Sequence, residues 1–260
     1  MEYNQHAIVE KCPRKPTYFV NNQLSPASSH NKKVSQKIHL VQQFFVHSNP
    51  ERHKEIQECL RRNVRNKQIT TITLLNEREY TAEEMGITED EAKNRVTQII
   101  LTVRLMYCHF FKYCYTQQLD GYLVLCNSDI FFDSSIKRLL KTPLSKTPSA
   151  QALLRHEYDP SIPDDKLSTC KLFGPRPDSQ DTWIIHSQFL GQIIAKIDMF
   201  DFHLGMPGCD NAVTHRLDVC GFKLYNDASQ IKTYHYHTTN IRNYTIKDLV
   251  PTPYAWVHPC

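Results

Sequence analysis

The chain has 260 residues, 40% hydrophobic and 22% charged, enough for one large domain or two small ones with a full core. Its 31 lysines and arginines against 27 acids give a formal charge of +4, too balanced to signal nucleic-acid binding, while anionic small ligands stay open. No apolar run approaches the roughly 20 residues of a membrane span, and the opening MEYNQHAIVEKCPRK lacks the apolar core of a signal peptide, so a soluble, cytoplasmic protein is expected.

Residues 1–36 carry Pro13, Pro16, Pro26 and a Ser-Pro-Ala-Ser-Ser run with little periodic apolar pattern, and read as a flexible or extended arm. From residue 37 the texture changes. IHLVQQFFV makes a strand, Asn49-Pro50 a helix start, and 51–66 a helix with Ile56, Leu60 and Val64 on one side. A second strand follows over 69–75. Strand, helix and strand within about 40 residues is the βαβ signature of a parallel sheet.

An acidic patch runs to Glu91, then a β-rich stretch over 96–103 and a helix over 105–118 whose Tyr107, Phe110, Phe111 and Tyr115 recur at helical spacing and read as core. GYLVLCNSDIFFD, from Gly121, is a buried-strand pattern that stops at small polar residues and Asp129. In open α/β sheets the carboxyl end of such a strand is where ligand chemistry sits, although a turn aspartate bonding its own backbone fits the same residues. The stretch 142–176 holds five prolines and reads as a long loop or flap. A strand then begins at Thr182, a helix or mixed element runs to about Met199, and a helix follows over 211–220. The nine cysteines, with no CxxC pair, read as reduced core thiols.

Two later stretches complete the chemistry. In GMPGCDNAVTHRLDVCGF, Asp210 stands at the expected N-cap of the last helix, where it either caps or serves as a base; the helix terminus favours the ionised carboxylate. In IKTYHYHTTNIRNY, His235 and His237 alternate along a strand and share a face. With Asp129 they offer oxygen and nitrogen donors suited to Mn²⁺ first and Mg²⁺ second, whereas a closed zinc site would want more thiolate or imidazole.

These segments also resemble a known family. NEREYTAEEMGI, VRLMY, CNSDIFFD, GPRPDSQDTWI, LGMPGCDN and IKTYHYHTTNIRNY, in that order, are similar to GT-A-type nucleotide-sugar glycosyltransferases of the kind found in large DNA viruses of algae and in some bacteria and eukaryotic microbes. The resemblance covers about 37–258. It implies one GT-A-like α/β domain over 37–260, with a mostly parallel central sheet flanked by helices, a Rossmann-like nucleotide half and an acceptor half. It also implies transfer of a hexose or pentose from a nucleoside diphosphate sugar, a UDP-sugar by frequency, to a glycan or glycoprotein hydroxyl, without nucleic acid or membrane span.

The same resemblance implies roles position by position. His47, Ser48 and Asn49 would meet the nucleotide, Glu77 its base or ribose, and Arg104, with Lys232, the diphosphate. Asn127-Ser128-Asp129 stands where such enzymes carry Asp-x-Asp, so Asp129 would bind the metal, with His235 or His237 compensating for the missing first aspartate. Asp210 would take the acceptor proton in an inverting displacement. Asn211 and Asp181 would hold the sugars, with Trp183 packing under them, although a turn role for Asp181 and a core role for Trp183 fit the same residues. Two other classes stay open: a metal-dependent nuclease or phosphohydrolase, which usually wants a denser acidic cluster, and a catalytically inactive nucleotide-sugar-binding module.

Overall fold

The structure, a computed structural model, describes residues 8–10, 35–239, 241 and 245–260. Apart from 8–10 and 35–36, the expected arm lies outside the described residues. After β1 (Ile8–Glu10), β2 (Ile38–Gln42), α1 (Pro50–Arg65) and β3 (Thr71–Asn76) form the expected βαβ unit, with β2 and β3 parallel neighbours. Asn49 accepts the backbone N–H of Arg52, and Pro50 occupies the first turn, where its missing N–H costs nothing. Ile56, Leu60 and Val64 are buried under the sheet.

The acidic patch turns out to be two short helices, α2 (Ala82–Met85) and α3 (Glu89–Arg95). Each opens with a capping box, Thr81 with Glu84 and Thr88 with Glu91, so the acids satisfy helix N–H groups and do not mark a site. β4 (Val96–Ile100) and α4 (Tyr107–Thr116) follow. Tyr107, Phe110 and Phe111 are core as expected, whereas Tyr115 is 54% exposed; Cys114 lies nearer the centre of the buried stripe and takes its place.

Then come β5 (Tyr122–Cys126), β6 (Ile130–Phe132), β7 (Ser149–Leu153), β8 (His156–Glu157), β9 (Lys171–Leu172), β10 (Thr182–His186), α5 (Leu190–Ile194), α6 (Cys209–Val219), β11 (Lys223–Tyr225), β12 (Thr233–His235) and β13 (Ala255–Val257). Seven strands make the central sheet, in the order β11-β7-β10-β5-β2-β3-β4. All neighbours are parallel except β10, which runs antiparallel to both β5 and β7. The fold is thus α/β, with helices on both sides of a mostly parallel sheet. A second sheet has the order β6-β12-β8-β9, and β1 pairs with β13.

Alternation along β5 divides the core. Tyr122, Val124 and Cys126 join the cluster under α1, while Leu123 and Leu125 join the one packed by α4, α5 and α6. A strand buried on both faces reads as a continuous apolar run, which is why YLVLC was legible. The flap expected over 142–176 is corrected by β7, whose five residues are all buried inside the central sheet. SAQAL lacks the β-branched and aromatic residues that announce a strand, and prolines flank it. Seven cysteines are buried free thiols, as expected; Cys260 departs from the expectation, being disulfide-bonded.

Asn63 fastens α1 to β6. Its amide nitrogen donates to the Ile130 carbonyl (2.9 Å) and its amide oxygen accepts from the Phe132 N–H (3.1 Å), both in the interior. Removing it leaves two buried backbone groups of β6 without these partners, each costing about 1–3 kcal/mol. Asn63→Ala is therefore expected to lose about 2–4 kcal/mol in denaturant unfolding, and a loss under 1 kcal/mol would show that β6 holds without the amide.

Candidate functional site

A cleft of about 630 Å³ opens beyond the carboxyl ends of β2, β3 and β5, where open α/β sheets bind ligands. The segment after each strand delivers residues there: Gln43 and, further along, His47 after β2, Glu77 directly after β3, and Asn127, Ser128 and Asp129 directly after β5. β12 brings the histidines. It pairs antiparallel with β6, setting His235 opposite Ile130, and the Tyr236 N–H donates to the Asp129 carbonyl at 3.0 Å.

Asp129, 8% exposed, is the hub. Its Oδ2 accepts a hydrogen bond from the Arg52 guanidinium and lies 3.2 Å from His235 Nε2 and 3.9 Å from His237 Nδ1. Burial would push this carboxyl up, but His235 and Arg52 outweigh burial and hold it well below the usual carboxylate range. Reciprocally, burial opposes a charge on His235, yet Asp129 and then Glu157 raise its pKa to about 9.

The donor set fits a metal ion. One ligand atom from each of Asp129, His235 and His237 lies within 4.8 Å of the others. His235 Nδ1 faces the Glu157 carboxylate at 3.1 Å and His237 Nε2 the Ile241 carbonyl at 3.0 Å, which leaves His235 Nε2 and His237 Nδ1 for coordination. Outer partners of this type orient metal-binding imidazoles. Asp129 Oδ1 is buried without a hydrogen-bond partner among the described residues. Two imidazoles and a carboxylate suit a first-row ion such as Mn²⁺ better than Mg²⁺.

Asp210 forms the other wall. It is not the N-cap: Gly208, with φ of 74°, takes that position, and Asp210 stands in the first turn of α6. A side chain at Gly208 would collide with the Tyr254 hydroxyl, so the loop needs glycine there for space as well as conformation. The Gln180 N–H donates to Asp210 Oδ2 at 3.4 Å. Burial first, and then the neighbouring Asp181 charge, raise the Asp210 pKa to about 7. Asp181 itself is held by Arg155 Nη1 at 2.7 Å and by the Asn127 amide at 2.8 Å.

Three cleft arginines, Arg52, Arg155 and Arg176, are each paired with a carboxylate. Arg104 differs. It donates to the Leu204 carbonyl at 2.7 Å and has no carboxylate partner among the described residues, so it is the uncompensated cation of the cleft.

The structure brings His47, Glu77, Arg104, Asn127, Ser128, Asp129, Asp181, Asp210, Asn211, His235 and His237 to this one cleft. Four expected residues are elsewhere. Ser48 is exposed outside it, Asn49 is occupied capping α1, and Lys232 donates to the Ser168 carbonyl at 3.1 Å. Trp183 is core, not a sugar platform: it is buried in β10, its indole N–H donates to Thr214 Oγ1 at 3.3 Å, and its ring meets Tyr107 edge-on. Sequence reading missed Arg52, Glu55, Arg155 and Glu157. Their motif-free positions give no local signal, since their role is to balance charges contributed by distant segments.

No protein-family model matches the sequence, and no curated protein matches it. Solved structures give remote likenesses. The mannosyltransferase PcManGT from Pyrobaculum calidifontis, in complex with GDP-Man and Mn²⁺, is 8% identical with a TM-score of 0.49, over 80% of this chain and 61% of that one. The 4-diphosphocytidyl-2C-methyl-D-erythritol synthase from Anaerococcus prevotii DSM 20548 is 12% identical with a TM-score of 0.43, over 82% and 95%. TarS of S. aureus is 10% identical with a TM-score of 0.45, over 78% and 37%. The chain thus spans about 61% of the mannosyltransferase's length, and function has to be argued from the cleft.

Arg52 also binds Glu55 Oε2 at 2.8 Å and the Tyr236 carbonyl at 3.0 Å, so it serves two buried carboxylates. Arg52→Met is expected to cost about 3–5 kcal/mol, the toll of leaving a buried charge unpaired. Calorimetry should show Mn²⁺ restoring more of the melting temperature in this variant than in the unmodified protein. Equal Mn²⁺ responses would argue that Asp129 does not share its charge with a metal.

Proposed function

We propose that the protein is a metal-assisted glycosyltransferase that moves a sugar from a nucleoside diphosphate sugar to a hydroxyl acceptor, with inversion. One observation carries this reading: a single open cleft at the carboxyl ends of parallel strands gathers a metal-competent Asp-His-His cluster, an uncompensated arginine and a carboxyl group with a pKa of about 7. Those are the parts needed to hold a diphosphate, help it leave, and activate an incoming hydroxyl.

Asp129, His235 and His237 would hold the ion. When bound, a divalent cation stabilises the charge that builds on the leaving diphosphate. Arg104 adds a fixed positive charge to the same end, and His47 and Glu77, following β2 and β3, line the nucleotide side. Asp210 accepts the proton of the acceptor hydroxyl as its oxygen bonds to the anomeric carbon; the bond from that carbon to the diphosphate breaks, and the electron pair leaves with the nucleoside diphosphate. A base with a pKa near the working pH combines a useful ionised fraction with real proton affinity.

The Asn127 of the shortened Asp-x-Asp motif has a different task. Its amide donates to Asp181, linking the metal loop to the acceptor wall, so the departure from the family pattern supplies a structural tie. The hydrolase alternative is weaker, because Asp129, His235 and His237 are the one cluster of three metal-competent groups found among the described residues. An inactive binding module would lack a reason for the raised Asp210 pKa. A UDP-sugar donor and a glycan or glycoprotein acceptor are the first substrates to test.

Screening nucleotide sugars for Mn²⁺-dependent thermal stabilisation tests the reading. Asp129→Ala is expected to abolish the metal-dependent shift. Asp210→Asn is expected to keep the shift while turnover falls about 10²–10⁴-fold, the usual worth of a general base. Undiminished transfer by Asp210→Asn would remove that residue from the role. For the unmodified enzyme kcat/KM should rise as pH passes about 7, because the active form is the deprotonated one. For stability the sign is opposite: a pKa raised above its unfolded value stabilises at low pH, so this contribution fades between about pH 4 and 7.

A further inference from the structure

The chain's formal excess of four positive charges is gathered in one place. Residues 134–147 hold Lys137, Arg138, Lys141 and Lys146 and no acid, while the other 27 lysines and arginines equal the 27 acids in number. The segment opens as a 3₁₀ helix, Ser134–Lys141, and its apolar residues hold it down: Ile136, Leu139 and Leu144 are buried in the cluster under α1. Lys137, Arg138, Leu140, Lys141 and Lys146 are left exposed, Leu140 at 37%. None of the three lysines has a carboxylate partner among the described residues. Arg138 binds neutral oxygens, the Gln230 carbonyl at 3.1 Å and its amide oxygen at 2.7 Å. Asp133, just before the segment, is spent on the Ser135 N–H and the Tyr234 hydroxyl. Cations of α1 behave otherwise: Arg61 and Arg62 pair with Glu58, and Arg65 with Glu91.

The fold sets this patch at the end of the molecule opposite the cleft. Asn66, the C-cap of α1, donates to the Phe132 and Asp133 carbonyls at 3.0 and 3.1 Å, so the segment begins at the far end of a helix whose first turn carries Arg52 to the cleft. The 16 residues of that helix put about 24 Å between its ends. The segment leads into Ser149, the amino end of β7, which runs parallel to β5 because β10 is antiparallel to both. The cleft lies at the carboxyl ends of the parallel strands, and no residue of 134–147 lines it. A large partner can therefore cover the patch and leave the mouth of the cleft clear.

We propose that the patch docks the protein on the surface of a bilayer carrying anionic lipid. Clusters of four or more lysines and arginines on an amphipathic element are attracted by phosphatidylserine-type headgroups. Each cation close to such a surface strengthens attachment about fivefold, and four together give about 10²–10³-fold. Leu140, exposed between Arg138 and Lys141, can enter the boundary of headgroups and acyl chains, where lysine stems also lie along apolar matter. Nucleic acid suits the patch less well. The segment has no aromatic residue on which a base could stack, and phosphates would meet an apolar side chain among the cations. The attachment is peripheral, because no described helix is long and apolar enough to cross a membrane, and it does not depend on the glycosyl-transfer reading.

Co-sedimentation of the 260-residue chain with vesicles at about 0.1 M salt is the test. The chain is expected to bind vesicles of equal parts phosphatidylserine and phosphatidylcholine and to ignore pure phosphatidylcholine. Replacing two of the cations, Lys137→Gln with Lys141→Gln, should weaken binding about 25-fold, and Leu140→Ser should weaken it several-fold. Lys54→Gln, on α1 and outside the patch, should leave it unchanged. Melting curves separate a lost surface from lost folding, and raising the salt to about 1 M on the unmodified chain should release it without any substitution. The proposal is overturned if phosphatidylserine gives no advantage, or if the double lysine variant binds like the unmodified chain. A duplex oligonucleotide bound as tightly as the vesicles at the same salt would also overturn it, and would assign the patch to nucleic acid.

Discussion

The site depends on the compensation of one buried negative charge. Asp129 sits in the interior, where an isolated carboxylate would take up a proton, yet Arg52 from α1 and His235 from β12 keep it ionised. That demand ties three distant stretches of chain together: the end of β5, the start of α1 and the end of β12. Arg52 also reaches the Tyr236 carbonyl, and Glu55 accepts from the backbone and side chains of Thr238 and Thr239, so the segment after β12 is stitched down beside the carboxylate. The small second sheet is thereby docked on the large one beside the cleft.

Across the cleft the opposite logic holds. Among the described residues Asp210 has no paired cation, and burial together with Asp181 lifts it toward neutrality. Arg155 moderates this by taking one oxygen of Asp181, while Asn127 takes the other. Two carboxyl groups in one cavity are thus driven in opposite directions by their surroundings, the difference on which the proposed division between cation holding and proton transfer rests. Asn127 connects the two regimes through a single amide.

Much of this was legible in the sequence where one residue's pattern sufficed. YLVLC announced a doubly covered strand, Asn49-Pro50 a helix start, and the alternation of His235 and His237 a shared face. The resemblance to GT-A enzymes then ordered the polar residues into a site. What stayed hidden was relational. Trp183 reads equally as sugar platform or core until Thr214 and Tyr107 are seen around it, and Asn49 and Lys232 read as ligands until their backbone tasks appear. β7 was invisible because small residues make a strand only when neighbours on both sides require one. Arg52 and Arg155 answer charges far away along the chain, and no local spacing encodes that.

The reversed direction of β10 has a consequence for how such a protein can change. Its first residue, Thr182, is set opposite Cys126, so what reaches the cleft is the segment leading into the strand, with Asp178, Gln180 and Asp181, and not the one leaving it. That lead-in belongs to neither of the loops that follow β2 and β3. Insertions or deletions there would recut one wall of the cavity while the parallel strands kept their register, leaving the ligand preference of the cleft free to diverge on a constant frame.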